Sequence, residues 1–574
     1  MAGALTLFRR IGTMWTTLLL NCVILSHSCI PVTPTRGHVQ TDFPPLGKHS
    51  RHPTESWKTT VFSMPASHMV GSVVWVAIVL ASSIQSLRTA SGQDATAVTH
   101  ITLGEDGNEC VLWRHPIGHA AAQISIADDG VVVATSALRN GRETGGGARS
   151  ARGAVVYIDA EQGELLWHIT HSHRDNDDSF CQSFLGVMSR PTIDSEQVFY
   201  VSNRGELVCL DIHGFADGED DGVAKYPMGS ALAGANLPAA DVVWKLDMIS
   251  QLGVYRVDSS GGNPACSPCV WEDMVFCVTG NGRAFEESGP TGVDRIRAPN
   301  APSFIAVRRS SGDVVWSSKA PGLNLVYSWS SPVVWTGGPE PIVVFPGGDG
   351  ILYCFAARTG ELKTQLDLNK PSATYWTRER GTRCFFVAPL VIDENVIYVG
   401  LATDLYGKTL DSPLVAVSLR HGDGLTASAA WKFHDRDFDC TYSRAIVHGP
   451  HVFTVSEDTG SIFAVDRVTG ECRKSLLDVI NGPRLNGFPS PCVTPDGVLW
   501  IPTLDGLLGV TADENMEKIA VLEFDELLIG SPEVSDGVLY VPTKGQLYAL
   551  DYTLLQMRLR ESGSSSALRD LNSP

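Results

Sequence analysis

The feature of this sequence that most limits its fold is a short repeat, best seen in GILYCFAARTGEL at residues 350–362. Two further copies keep the same spacing, GAVVYIDAEQGE from Gly153 and GSIFAVDRVTGE from Gly460. Glycines on both sides of a β-branched and aromatic run indicate one strand between two tight hairpin turns. Self-similarity of this kind is typical of a repeat architecture. Looser copies begin at Gly205, Ser303, Gly506 and Gly545.

Each unit is expected to be the third strand of a four-stranded blade. A second strand precedes it, and eight such runs occur: GVVVATS, QVFYVSN, MVFCVTG, PIVVFPG, NVIYVGL, HVFTVSE, GVLWIPT and GVLYVPT. A shorter first strand comes before each run, and because proline is tolerated at a strand's start, six prolines mark these starts. They are Pro191, Pro268, Pro332, Pro389, Pro491 and Pro532, with Ile124 and Ala445 in the two remaining places.

An outer strand follows each unit and often carries a tryptophan. Trp167 and Trp316 end the runs GELLW and GDVVW, and less regular relatives carry Trp244 and Trp431. We expect Trp167, Trp316 and Trp431 to pack between neighbouring blades rather than to contact a ligand.

Eight blades that cannot bury both faces alone imply a closed ring. The sequence therefore predicts an all-β fold, an eight-bladed β-propeller of four-stranded antiparallel blades, over residues 109–553. After Asp551 no fourth strand follows, whereas ECVLW at residues 109–113 is an outer strand without a blade. We expect this N-terminal strand to close the last blade. Residues 554–574 are left as a C-terminal tail.

The N-terminal part differs from the repeats. Residues 1–32 contain the apolar run LLLNCVIL and resemble a signal peptide. Residues 33–68 are rich in Pro, Ser, Thr and His and are predicted to be a disordered linker. Residues 69–87 lack charge over a length that spans a bilayer, which predicts a transmembrane anchor or a cleaved signal. Residues 88–108 are interpreted as a second linker.

The distribution of positive charge predicts the side of the membrane. Arg36, Lys48, Arg51 and Lys58 precede residue 69, and only Arg88 follows the apolar run closely. A single anchor would therefore leave the propeller on the extracytoplasmic side, membrane-anchored or secreted. Two alternatives remain. In the first, translation starts at Met64 or Met69, the residues before that start are an extension of the gene model, and the apolar run 69–87 is a cleaved signal. In the second, two membrane spans return the propeller to the cytoplasm.

Charge and cysteine content exclude some functions. The net charge of −19 opposes binding to nucleic acid, which needs a basic surface. Of thirteen cysteines, only Cys266 and Cys269 form a C-x-x-C. Residues three apart on a strand point to opposite faces, so we interpret them as packing cysteines and assign no metal ligands.

Most of the long connections are predicted on one face of the ring, which favours that face for binding a protein or small ligand. They are residues 137–152, 171–187, 281–302, 370–382, 403–412 and 434–443, with 212–241 on the opposite face. On the same face, six polar or aromatic residues just ahead of the innermost strands are predicted to surround the central channel. These candidate cofactor-binding residues are His119, Asn263, Trp329, Arg383, Arg444 and Asn486. Such groups suit an anionic, planar ligand, or else they only pair with neighbouring blades.

The repeat resembles the pyrroloquinoline-quinone (PQQ) repeat of the quinoprotein alcohol dehydrogenase-like superfamily, which has strands such as LYALD, here at 547–551, followed by turns such as TGE, here at 359–361 and 469–471. The resemblance implies two different functions. Dehydrogenases of the superfamily bind PQQ and calcium in the channel, often beneath a disulfide between adjacent cysteines, which this chain lacks. The outer-membrane assembly lipoprotein of the same fold binds other proteins. We expect a non-catalytic, monomeric binding platform, with a PQQ- and calcium-dependent oxidoreductase as the alternative.

Overall fold

The apolar runs and glycine turns fold into eight sheets, each built on four antiparallel strands, with a fifth strand added in two of them. In this computed structural model the described residues all belong to one unit, Asp94–Pro574. They are residues 98–103, 108–119, 122–136, 153–172, 186–220, 222, 238–255, 266–281, 283–284, 295–296, 298–319, 329–373, 382–402, 412–438, 441–457, 459–477, 479 and 489–561. The predicted segments 1–32, 33–68 and 69–87 lie outside them. No helix within the described ranges is both long and apolar enough to cross a membrane.

The strands of the first half follow two N-terminal strands, β1 (Thr99–Thr102) and β2 (Val111–Pro116). Blade 1 contains β3 (Ala122–Ile126), β4 (Gly130–Ser136), β5 (Gly153–Asp159) and β6 (Leu165–His171). Blade 2 contains β7 (Thr192–Asp194), β8 (Gln197–Val201), β9 (Glu206–Asp211) and β10 (Val242–Asp247), followed by α1 (Met248–Leu252). Blade 3 contains β11 (Cys269–Trp271), β12 (Met274–Val278), a hairpin of β13 (Arg283–Ala284) and β14 (Arg295–Ile296), then β15 (Phe304–Arg308) and β16 (Val314–Ser318). Blade 4 contains β17 (Val333–Trp335), β18 (Ile342–Pro346), β19 (Ile351–Ala356) and β20 (Leu362–Asp367).

The second half repeats the pattern. Blade 5 contains β21 (Phe385–Phe386), β22 (Val391–Asp393), β23 (Val396–Ala402), β24 (Leu414–His421) and β25 (Leu425–Phe433). Blade 6 contains β26 (Ile446–His448), β27 (His451–Ser456), β28 (Ser461–Asp466) and β29 (Cys472–Leu476). Blade 7 contains β30 (Cys492–Val493), β31 (Val498–Thr503), β32 (Gly506–Thr511) and β33 (Lys518–Glu523). Blade 8 contains β34 (Glu533–Ser535), β35 (Val538–Pro542) and β36 (Gln546–Asp551), followed by α2 (Tyr552–Glu561).

The core lies between neighbouring blades rather than within any one of them. The second strand of blade 3, MVFCV, is buried at every position, because another blade covers each of its faces. The outer strand of blade 5 is instead exposed at most positions. Apolar clusters occupy every junction in the ring, including the junction between blade 8 and blade 1. A continuous core of this kind requires all eight blades to be present.

The predicted closure is confirmed. Strand β2 pairs antiparallel with β36 and supplies the fourth strand of blade 8, with Val111 opposite Leu550 and Trp113 opposite Ala549. The innermost strands β3 and β34 are in contact, so blade 1 follows blade 8 around the ring. The fold class predicted from the repeat is therefore correct.

Two elements go beyond the sequence prediction. Strand β1 pairs in parallel with β33 and adds a fifth strand to blade 7, and Ile101 and Leu103 are buried there. The C-terminal segment begins as α2, which buries Tyr552, Leu555 and Leu559 against blades 7 and 8.

The predicted packing of the tryptophans between blades is confirmed. Each indole N–H donates to a carbonyl of the next blade: Trp167 to Ile212 at 2.6 Å, Trp316 to Ala357 at 2.8 Å and Trp431 to Arg467 at 3.1 Å. Trp113 and Trp244 make the same bond to Ala160 and Arg309. These tryptophans lie at the periphery of the blades, away from the central channel.

Candidate functional site

The wall of the central channel is built from the residues that precede each innermost strand. At four of these places the backbone N–H of the residue ahead of an innermost strand points along the ring. There it meets a serine of the next blade: Ser267 N–H donates to Ser331 Oγ at 2.9 Å, and Ser490 N–H to Ser531 Oγ at 2.8 Å. The Arg190 and Arg444 backbone N–H groups donate in the same way to Ser267 and Ser490. The polar backbone of the channel wall is thus satisfied from blade to blade.

Within this wall lies a cavity of about 230 Å³ to which all eight blades contribute. Its lining includes apolar side chains, among them Ile124, Met188, Val387 and Leu390. The charged side chains in the lining are Arg190, Arg444 and Glu533.

These three charged residues form a cross-channel cluster. Arg190 belongs to blade 2 and Arg444 to blade 6, which face each other across an eight-membered ring. The guanidinium of Arg190 lies 2.9 Å from Glu533 Oε1 through Nη1, and that of Arg444 lies 3.4 Å from the same oxygen through Nη2. Glu533 of blade 8 therefore links opposite sides of the channel through a single carboxylate oxygen.

Arg190 makes one further side-chain contact in the channel wall. Its Nε donates to Ser125 Oγ at 3.2 Å. Burial lowers the pKa of Arg190, and Arg444 lowers it further, whereas Glu533 raises it. Arginine is not deprotonated in proteins, so both guanidinium groups keep their positive charge. The cluster therefore contains two cations and one anion.

A buried carboxylate, Glu457, positions the segment that carries Arg444. It accepts hydrogen bonds from the backbone N–H groups of Tyr442 at 3.0 Å and Ser443 at 2.7 Å, and from the Ser443 hydroxyl. Burial raises the pKa of Glu457 to about 7, and the hydrogen bonds from Ser443 and Tyr442 oppose that rise. Tyr442 and Arg444, on either side of the anchored Ser443, both line the cavity.

The residues predicted to surround the channel take different places. Trp329 and Arg444 line the cavity. Arg383 instead donates to Asp367 Oδ2 at 2.6 Å and to the carbonyl of Asp349, and it is not part of the cavity lining. His119 lies beside Gly545 of blade 8. Asn263 and Asn486 lie outside the described residues, so their roles stay predictions.

Two central residues, Arg190 and Glu533, were missed by the sequence analysis. Both were within its reach, because Arg190 directly precedes Pro191 and Glu533 directly follows Pro532. The prolines that marked the innermost strands also mark the channel wall. In the described part of the chain, no group of three His, Cys, Asp or Glu side chains could hold a metal ion.

The closed ring, its hairpin repeat and the tryptophan contacts define the chain as a propeller of the PQQ-repeat class. A family model of this repeat, described as "Outer membrane protein assembly factor BamB", matches residues 106–262 and 239–476. The chain belongs to this family, which confirms the resemblance seen in the repeat.

Three solved structures are similar to this chain at low sequence identity. BamB from Moraxella catarrhalis is 14% identical with a TM-score of 0.48, and the match covers 77% of this chain and 99% of that one. The computationally designed Ika8 protein is 11% identical with a TM-score of 0.40, covering 77% and 99%. The quinohemoprotein alcohol dehydrogenase ADHIIG from Pseudomonas putida HK5 is 12% identical with a TM-score of 0.37, covering 77% and 76%. No curated protein sequence matches this chain.

Proposed function

We propose that this propeller is a non-catalytic binding platform rather than a quinone-dependent oxidoreductase. The observation that carries the proposal is the small size of the channel cavity and the Glu533 side chain that reaches into it. The cavity of about 230 Å³ is smaller than the range of about 300–1,000 Å³ typical of small-molecule sites. The Glu533 carboxylate also reaches into it and engages both Arg190 and Arg444.

These residues do not fit PQQ, which has three fused rings and three carboxyl groups. Bound PQQ would place its carboxylates near Glu533, and like charges in an enclosed site repel strongly. It would also have to displace Glu533 from two guanidinium groups. The channel of this chain is better suited to holding the ring together than to holding a planar tricarboxylate.

The face with the long connections is the proposed docking surface for a protein partner. In each blade the second strand ends, the third begins and the fourth ends at this face, where the next blade also starts. Most of the long connections of the chain join those strands, the main exception being residues 212–241 on the opposite face. Loops on a rigid scaffold are common binding elements. Because one chain closes the core of the propeller, the fold does not need a second copy of the chain, and we propose that the protein is a monomer.

We further propose that the propeller lies on the extracytoplasmic side, either tethered or secreted. The support is the apolar segment 69–87 with positive residues mainly before it. Fusing a periplasmic reporter enzyme after Glu561 tests this directly. An active reporter is expected, and activity only of a cytoplasmic reporter at the same position would contradict the proposal.

The test of function is reconstitution of the purified full-length protein with PQQ and calcium. We expect no stoichiometric change in quinone absorbance, no retained calcium and no oxidation of alcohols with an artificial electron acceptor. A genuine PQQ dehydrogenase treated in parallel provides the control for active cofactor. Stoichiometric uptake that Arg444→Met abolishes would instead support the oxidoreductase, since Trp329 and Arg444 both line the channel.

A further inference from the structure

Among the described residues that line the cavity, the cross-channel cluster carries one more positive charge than negative. Arg190 and Arg444 supply two charges and Glu533 supplies one, and no other charged side chain lines the cavity within the described residues. Both arginine side chains are about two-thirds withdrawn from solvent, and uncompensated charge is costly there, so a counter-ion is favoured. The imbalance corresponds to one monovalent anion.

The geometry of the cluster also leaves hydrogen-bond donors for such an anion. A guanidinium carries five N–H donors, and a carboxylate can accept two of them side by side. Here both arginines instead contact the same oxygen, Glu533 Oε1. Among described residues, the side chain of Arg444 has this single partner, and that of Arg190 has only Ser125 in addition. Both side chains keep about a third of their surface exposed, at 33% and 31%.

We propose that the channel binds a small monocarboxylate of two to four carbons between Arg190 and Arg444. The carboxylate would meet the guanidinium donors that Glu533 leaves open. The short apolar chain would pack on Ile124, Met188, Val387 and Leu390, which line the same cavity. The inference goes beyond the proposed function and does not depend on it, since a platform protein can also hold a small ligand.

Equilibrium dialysis of the full-length protein against radiolabelled acetate, propionate and butyrate, in a low-chloride buffer, tests the proposal. We expect saturable binding at about one site per chain, and competition by chloride. Acetamide has nearly the shape of acetate without its charge and is expected not to compete.

Two variants shift the binding in opposite directions. Arg444→Gln removes a cation and donors, so affinity for acetate is expected to fall at least tenfold. Glu533→Gln removes the competing carboxylate and leaves two positive charges, so affinity is expected to rise about tenfold. The matched control is Arg308→Gln, which removes an arginine whose exposed ion pair with Asp273 lies on blade 3, outside the cavity lining.

The proposal is overturned if the unaltered protein shows no saturable uptake, or if acetamide competes as well as chloride. Equal loss of affinity in Arg444→Gln and Arg308→Gln would overturn it as well, because the effect would then follow overall charge. Circular dichroism and melting curves establish that each variant is folded. Should Glu533→Gln fail to fold, the comparison of Arg444→Gln with Arg308→Gln decides the question alone.

Discussion

Trp316 of blade 3 rests its indole ring on Gly360, a turn residue of blade 4. The backbone of Gly360 has a φ of +70°, and a Cβ added there would lie 2.5 Å from Trp316 Cδ2. The same contact joins Trp113 to Gly163 and Trp431 to Gly470. The glycine serves two needs, a left-handed backbone for the hairpin turn and a flat surface for the indole of the neighbouring blade.

Gly360→Ala is expected to destabilise the protein. The left-handed backbone alone costs an alanine about 1 to 2 kcal/mol, and displacement of Trp316 adds to this cost. The measurement is the midpoint of urea unfolding. Gly422→Ala is the matched control, because its new Cβ would have no atom within 4 Å. Equal midpoints for the two variants would show that the glycine is not needed for the contact between blades.

Glu457 is expected to make stability depend on pH. Burial raises its pKa to about 7 in the folded protein, above an ordinary value of 4.5. Between these values the folded state binds more protons than the unfolded state, so the free energy of unfolding falls as pH rises from about 4.5 to 7. The contribution is on the order of 3 kcal/mol. Urea midpoints at several pH values, compared with those of Glu457→Gln, measure it. A slope that the variant retains in full would assign the pH dependence to other groups.

At the scale of elements, the N-terminal strands β1 and β2 contribute differently. Strand β2 completes blade 8 and carries Trp113, whose indole bonds to Ala160 of blade 1. Strand β1 only adds a parallel fifth strand to blade 7. Loss of β2 opens the ring, whereas loss of β1 exposes one additional edge and the side chains of Ile101 and Leu103.

Three truncated chains separate these contributions. A chain that begins at Asp94 keeps both strands, one that begins at Asn108 loses β1, and one that begins at Ala120 loses β2 as well. We expect a small drop in melting temperature at the first step. A large drop or aggregation is expected at the second, because an unpaired outer edge and apolar surface are exposed. Equal melting temperatures for the chains starting at Asn108 and Ala120 would contradict the closure.

The strands that could be predicted are those whose signal is repeated. The eight second strands and the prolines of the innermost strands lie where the repeat predicted them. The third strand of blade 5, Leu414–His421, was missed because Ser412-Pro413 replaces the usual glycine before it. Strand β1 could not be found in this way, since a single four-residue parallel strand has no counterpart in other blades.

The whole ring decides which residues meet in the channel, and sequence alone could give only part of that list. Trp329 and Arg444 were predicted from their position before an innermost strand, and both line the cavity. The pairing of Arg190 of blade 2 with Glu533 of blade 8 depends on closure of the ring, which leaves only blade 1 between these two blades. Local patterns carry no information on such a contact, because it forms only when all eight blades are in place.

Charge is also distributed at the scale of the whole molecule. The chain carries a net charge of −19, yet the charged residues that line the cavity, within the described ranges, sum to one positive charge. An acidic protein that encloses a positive channel is expected to admit small anions and to repel polyanions. The expectation that it does not bind nucleic acid therefore stays a prediction, with this charge as its basis.

The most direct test of the account is a crystal structure of the protein grown with PQQ and calcium. The account predicts that Arg190 and Arg444 both remain in contact with Glu533 and that no quinone occupies the channel. A quinone bound between Trp329 and Arg444, with Glu533 turned away from both arginines, would contradict it.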